Sequence, residues 1–286
     1  MENITLLSVH ASYGAALVLF MIVAGMRYFI AERRMQGMPP AVPLGKVPVW
    51  LYGWRDLAGI AAIVGIFYLL AVENSIASEV KNDTKITVSG LVFSIGFQFF
   101  TAGIVTAVVL GRVTLIQWLG LAWKKWPLVI LIAPMAVISM WALFAGLQVA
   151  GYMDLMDKLG VEKVQETVTV FQKEKNVTVI VLMAIAATFV APICEETVFR
   201  GYLYPVAKKY VGPWVAALCS ALIFSAAHGS LAALLPLFVF GLLLVALYEF
   251  TGSIVAPMSV HFLFNGATVA IQLYDRYAHI PLTAGR

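Results

Sequence analysis

Residues 177–200 read VTVIVLMAIAATFVAPICEETVFR, and this stretch decides how the rest of the chain is interpreted. An apolar run long enough to lie within a bilayer, Val177–Cys194, is followed at once by two glutamates and then by an arginine. Ionisable side chains at membrane depth cost several kcal/mol each unless they are paired or line a wet cavity. The cluster of Glu195, Glu196 and Arg200 is therefore predicted to serve a function.

The composition is that of an integral membrane protein. Of 286 residues, 62% are hydrophobic and only 12% are charged, whereas soluble domains are about a quarter charged. Apolar runs of about 20 residues recur along the whole length, which is what transmembrane helices require. We predict one integral membrane domain over residues 1–286, an all-α polytopic bundle of about eight transmembrane helices. The predicted segments are Leu6–Ile30, Leu57–Val72, Ile86–Leu110, Pro127–Ala150, Val177–Val206, Pro213–His228, Leu231–Phe250 and Ile254–Leu273.

The distribution of lysine and arginine predicts the orientation. Basic residues follow the first, third and fifth segments, and cytoplasmic loops carry such an excess. We therefore expect these loops to be cytoplasmic and the chain to be a multi-pass protein of a bacterial or archaeal cell membrane. The net charge of +4 is modest and lies mostly in short loops, so nucleic acid is not expected as a partner. The loop residues are Arg33, Arg34, Lys46, Arg55, Arg112, Lys124, Lys125, Lys208 and Lys209.

Three further polar residues, His228, His261 and Asn265, occur in the last apolar segments. Their depth follows from the helical rise of about 1.5 Å per residue. Counted from the preceding cytoplasmic turns, Glu195 and Glu196 lie about 20 Å deep, His228 about 22 Å, His261 about 14 Å and Asn265 about 20 Å. All of these side chains fall in one layer, which predicts a shared cavity and favours a reaction centre.

The spacing along the helix predicts which charged side chains can pair with each other. Glu196 and Arg200 are four residues apart, so they can pair along one helix face. Glu195 points about 100° away from Glu196, which leaves it free for a different role. Pro192 and Pro257 each remove a backbone hydrogen bond close to a polar residue, and we expect them to open their helices.

The same residues carry a resemblance to a known family. The stretches EETVFR (195–200), FSAAH (224–228) and HFLFN (261–265) have the forms E-E-x-x-x-R, F-x-x-x-H and H-x-x-x-N. In this order they resemble the motifs of the CAAX protease and bacteriocin-processing family of intramembrane endopeptidases, which includes the type II CAAX prenyl endopeptidases. The resemblance covers residues 177–273, a motif-bearing catalytic core, and leaves the helices within 1–176 without an assigned role.

The resemblance implies an intramembrane protease that cleaves a peptide bond near the cytoplasmic half of the bilayer. Its substrate would be a membrane-associated protein or peptide, prenylated CAAX proteins among them. The resemblance gives roles to six residues: water activation to Glu195 and His228, oxyanion stabilisation to His261 and Asn265, and support of the site to Glu196 and Arg200.

Two questions stay open at this point. Two histidines and a glutamate could bind a catalytic zinc ion, but the H-E-x-x-H signature is absent. We favour glutamate-activated water with neither metal nor other cofactor. A proton-coupled transporter or a non-catalytic immunity or scaffold factor could carry the same cluster, although no repeat symmetry relates the halves of the chain. Neither the oligomeric state nor the substrate is indicated.

Overall fold

The predicted helical bundle is present in the structure. The computed structural model describes residues 4–34, 45–79, 86–161, 171 and 174–278, and the regular structure within these ranges is helical, without a strand. We number its helices α1 Ile4–Arg34, α2 Trp54–Glu79, α3 Val88–Leu110, α4 Leu115–Trp118, α5 Val129–Val149, α6 Tyr152–Lys158, α7 Val177–Val211, α8 Pro213–Ala226, α9 Leu231–Thr251 and α10 Val255–Ala278.

Six of the described helices are long and apolar enough to cross a membrane: α1, α2, α3, α5, α7 and α9. Helix α8 is apolar but has only 14 residues, and α10 has 24 residues but includes His261, Asn265 and Gln272. Large apolar side chains point outward from the spanning helices; Phe93 is 74% and Ile130 is 69% exposed. The chain is therefore a multi-pass membrane protein, and each of the eight predicted segments contains a helix.

Two details differ from the sequence prediction. Helix α8 ends at Ala226, so His228 lies in the turn after the helix. Pro257 stands in the first turn of α10, where backbone N–H groups have no partner within the helix, so it does not open the helix. The connector after α5 contains the short helix α6, but its residues 162–170 lie outside the described part of the chain.

The central helix α7 is irregular for reasons that its sequence explains. Two stretches, Ala186–Val190 and Glu196–Leu203, have the wider π-helical turn, which is common at functional sites. In the first, the N–H of Ala191 donates to the carbonyl of Ala186. The next residue is Pro192, which has no N–H, so the carbonyl of Ala187 receives neither an α-helical nor a π-helical bond. The first π turn therefore leaves the carbonyl oxygen of Ala187 without a backbone donor.

The neighbours of α7 hold it in place along its whole length. Helix α3 packs against its first two thirds, α8 against its end, and α10 against its middle, while α5 lies against α10. The end of α7 is fixed to the end of α9, because Glu249 Oε1 accepts from Lys208 Nζ at 2.5 Å and from the Tyr204 hydroxyl at 2.5 Å. The helix that carries Glu195 and Glu196 is thus anchored on the C-terminal side of these two residues.

Candidate active site

A fully buried ion pair forms the base of the site. Arg200 Nη1 lies 2.9 Å from Glu196 Oε1, and neither side chain is exposed at all. The guanidinium also donates from Nη2 to the carbonyl of Gly241 at 3.2 Å and stacks over the ring of Phe224, with Cζ 4.4 Å from the centroid. The predicted pairing of Glu196 and Arg200 is confirmed, and it links α7 to α8 and α9.

His261 is attached to this ion pair. Its Nδ1 lies 2.8 Å from Glu196 Oε1. A carboxylate that pairs with arginine only accepts hydrogen bonds, so Nδ1 carries the proton. The other ring nitrogen, Nε2, lies 4.0 Å from Glu195 Oε2. Neutral His261 therefore presents a lone pair at Nε2, and this nitrogen donates a hydrogen bond only when the ring is an imidazolium.

Glu195 differs from its neighbour in surroundings. Its side chain is 24% exposed, whereas that of Glu196 is fully buried. Within the described part of the chain, no group donates a hydrogen bond to Glu195 Oε2. Glu196 Oε2 likewise has no donor, but Glu196 Oε1 is bound by both Arg200 and His261, whereas Glu195 is not part of that buried ion pair. Of the two glutamates, Glu195 is thus the one suited to act as a base.

His228 is oriented by the end of α8. Its Nδ1 lies 2.8 Å from the carbonyl of Phe224, which can only accept, so Nδ1 carries the proton and Nε2 has the lone pair. The next residue, Gly229, has a φ of 60° and turns the chain into α9. A Cβ at that position would meet Asn74 and Ala71 of α2 at 3.3–3.5 Å. The turn that carries His228 is therefore held by a positive-φ glycine packed against α2.

Asn265 binds the carbonyl that the first π turn exposes. Its Nδ2 donates to the oxygen of Ala187 at 2.9 Å, the oxygen that Pro192 leaves without a backbone donor. A carboxamide nitrogen has two hydrogens, so one is used here and one remains. The proline thus explains why an asparagine is placed against α7 at this depth.

Four of the six predicted residues line one cavity of about 660 Å³: Glu195, His228, His261 and Asn265. The other two, Glu196 and Arg200, are buried behind it. The rest of the wall is mostly apolar and aromatic, with Phe144 from α5 and Phe240 from α9 among its residues. This volume is typical of a binding pocket for a small ligand, and an apolar wall strengthens electrostatic interactions inside.

The positions of the histidines and carboxylates bear on whether a metal takes part. In the described ranges, no group of three or more histidine, cysteine, aspartate or glutamate residues is placed to hold a metal ion. The Nδ1 atoms of His228 and His261 are engaged with Phe224 and Glu196, which leaves their Nε2 lone pairs free, as in histidines that bind a metal through Nε2. A reaction without a metal stays a prediction.

One supporting residue was not anticipated from the sequence. Trp118 of α4 is 1% exposed, and its indole N–H donates to the carbonyl of Gly201 at 2.7 Å. Pro205, four residues after Gly201, has no N–H to donate to that carbonyl in an α-helix. A Cβ on Gly201 would lie 3.2 Å from Trp118 Cζ2. The proline signalled an open carbonyl, but nothing in the sequence signalled that a tryptophan 83 residues away would bind it.

Comparisons with known proteins agree with the position of this site. The family described as "Type II CAAX prenyl endopeptidase Rce1-like" matches residues 177–267. A relative from Bacillus subtilis (strain 168), named "Putative membrane peptidase YdiL", is 33% identical over 92 residues, which cover 32% of this chain and 38% of that relative. No solved structure gives a significant match. Residues 177–267, which contain all six predicted site residues, are thus similar to the Rce1-like family of type II CAAX prenyl endopeptidases, and the chain spans 38% of the length of its Bacillus relative.

Proposed function

We propose that this protein is an intramembrane endopeptidase that hydrolyses a peptide bond of a membrane-associated protein or peptide. The observation that carries the proposal is the division of labour between adjacent glutamates. Glu196 is fully buried in an ion pair, while Glu195 faces a cavity together with two histidines and an asparagine. The family match over residues 177–267 supports the same activity.

In the proposed reaction, Glu195 acts as the general base. It accepts a proton from a water molecule, while Nε2 of His228 accepts a second hydrogen bond and orients that water. The resulting hydroxide attacks the peptide carbonyl, and protonated Glu195 then gives its proton to the leaving amine. General acid–base catalysis of this kind contributes roughly 100- to 10,000-fold in rate.

The negative charge on the carbonyl oxygen needs donors, and two are at hand. Asn265 has one Nδ2 hydrogen left after its bond to Ala187. His261 donates from Nε2 when it is an imidazolium, with Glu196 on one side and Glu195 on the other. Preorganised donors of this kind act strongly in a water-poor site. Glu196 and Arg200 fix the ring of His261 for this purpose.

The direct test is Glu195→Gln, which keeps the size of the side chain and removes the base. We expect purified Glu195→Gln protein to remain folded in detergent and to lose at least 100-fold in peptide turnover, in line with the usual range for a general base. Turnover of a peptide by the wild type also separates a protease from a transporter or a scaffold. Wild-type turnover by the variant would refute the role of Glu195.

The substrate and the membrane orientation belong to the same proposal. The name of the matching family refers to prenyl substrates. The substrate class that we propose comprises both prenylated and unprenylated membrane-associated proteins and peptides. A comparison of peptide termini in cells with and without Glu195 would identify the natural substrate. We also propose a bacterial or archaeal cell membrane, with the loop that holds Lys124 in the cytoplasm. Labelling a cysteine placed at Lys124 in intact and in permeabilised cells tests that orientation.

A further inference from the structure

The cavity continues beyond the reaction centre along one face of α10. Asn265, Thr268 and Gln272 all line it. Their spacing of three and four residues puts them on the same helix face. Gln148 of α5 lines the same cavity. A lane of uncharged polar groups, defined by Asn265, Thr268, Gln272 and Gln148, thus runs along a wall that is otherwise mostly apolar.

We propose that this polar lane binds the main chain of the substrate, in extended conformation, next to the bond that is cut. The inference rests on the proposed peptidase function. It identifies the ligand of the lane as backbone peptide groups and not as a particular side chain. The two glutamines of the lane, Gln148 and Gln272, are not among the groups proposed to activate water or to stabilise the oxyanion.

The length of the lane fits a short extended peptide. Gln272 follows Asn265 by seven positions, which is about 10.5 Å along the helix at 1.5 Å per residue. An extended chain rises about 3.3 Å per residue, so about three substrate residues lie along this wall. The contact begins at Asn265, a proposed donor to the oxyanion, and the bound residues are therefore those directly beside the scissile bond.

The chemistry of the lane suits peptide groups of any sequence. A peptide in an apolar cavity must satisfy its N–H and C=O groups, because burial without partners is costly. A glutamine side chain both donates and accepts, so it serves either group. The hydroxyl of Thr268 donates to the carbonyl of Phe264 at 2.8 Å, which leaves its oxygen lone pairs as acceptors for a substrate N–H.

The arrangement has a consequence for specificity. Binding through the main chain tolerates many sequences, and selection then falls to the apolar wall, which includes Phe144, Leu237 and Phe264. The preferred substrate is an unwound segment with bulky apolar side chains. A helical segment is excluded, because its peptide groups are already bonded internally and could not use the lane.

Backbone esters test the proposal through binding, independently of turnover. The probe is a fluorescein-labelled hexapeptide of leucine and alanine, compared with five versions in which one amide is replaced by an ester. Binding to Glu195→Gln protein in nanodiscs is measured by fluorescence anisotropy, before and after the further change Gln272→Leu. Gln117→Leu, an exposed position outside the cavity, is the matched control, and Gln148→Leu tests the part of the lane that α5 supplies.

We expect Gln272→Leu to weaken binding of the all-amide peptide by about three- to tenfold, the value of one net hydrogen bond. At least one ester peptide should bind the Glu195→Gln protein more weakly than the all-amide peptide, by a similar factor. For that ester peptide, the further change Gln272→Leu should not lower the affinity again. Gln117→Leu should bind as the parent does. Equal affinity for the amide and all five esters, or no binding of the amide peptide, would overturn the proposal. If the esters and Gln272→Leu do not change binding but the wild type cleaves peptides, the lane proposal fails and the peptidase function stands. If they change binding as expected but the wild type cleaves no peptide, the peptidase function fails and the lane proposal stands.

Discussion

Removal of Arg200 is the most severe test of how the site is held together. Arg200→Ala deletes the hydrogen bond to Glu196 at 2.9 Å, the bond to the carbonyl of Gly241 at 3.2 Å and the stacking on Phe224. It also leaves the Glu196 carboxylate in a fully buried place with His261 as its remaining partner. Breaking a buried pair on one side typically costs about 3–5 kcal/mol. We expect Arg200→Ala to lose stability of that order and also its activity.

The assay is thermal or denaturant unfolding in detergent, with peptide turnover measured on the same preparations. Arg200→Lys is the matched control, since it keeps the charge but loses the planar guanidinium that reaches Glu196 and Gly241 together. Its stability should fall between that of the wild type and that of Arg200→Ala. The double change Glu196→Gln with Arg200→Gln removes both charges and should recover part of the stability without the activity. Equal unfolding of the wild type and Arg200→Ala would refute the reasoning.

Three further outcomes are expected. Asn265→Ala should lower kcat by roughly 100- to 1,000-fold with little change in KM, since it would bind the developing oxyanion; an unchanged kcat would exclude that role. Protein treated with a chelator should cleave as fast as untreated protein and contain well under one zinc per chain, while zinc-dependent recovery of activity would favour the metal mechanism. Trp118→Phe should cost about 1–3 kcal/mol in stability, because it leaves the buried carbonyl of Gly201 unsatisfied; unfolding like that of the wild type would show that this bond contributes nothing.

Simple helix geometry accounts for much of the fold and of the candidate site. The eight apolar runs become helices, because length and composition are what a bilayer selects. The pairing of Glu196 with Arg200 follows from their spacing, since both partners are on one helix. The shared depth of Glu195, His228 and Asn265 predicts a common cavity, and the structure places all three in its wall.

Contacts between helices account for what the sequence could not provide. The spacing of His261 and Asn265 gives no sign that His261 binds Glu196, which lies 65 residues earlier. Helices α3 and α5 had no assigned role, yet α5 supplies Phe144 and Gln148 to the cavity. Periodicity states which face of a helix is apolar, but it does not state which helix covers that face. The catalytic roles of the six residues stay predictions, and so does the division of the chain at residue 177.

Prolines, however, carry information that helix periodicity lacks. Each proline within a helix releases the carbonyl four residues before it, and a buried carbonyl inside a membrane must find another donor. Pro236 of α9 releases the carbonyl of Ala232, and the hydroxyl of Tyr152 lies 3.1 Å from that oxygen. The indole of Trp118 meets the carbonyl that Pro205 releases in the same way.

At Pro192 the oxygen without a backbone donor is that of Ala187, five residues earlier, because the N–H of Ala191 donates to Ala186. In all three cases the donor comes from another helix: α6, α4 and α10. At these three prolines a polar side chain from another helix meets the carbonyl, although the sequence does not name the donor. At Pro192 the side chain that arrives is Asn265, so the proline that distorts α7 also explains the contact by which the proposed oxyanion donor is held in the wall of the cavity that Glu195 lines.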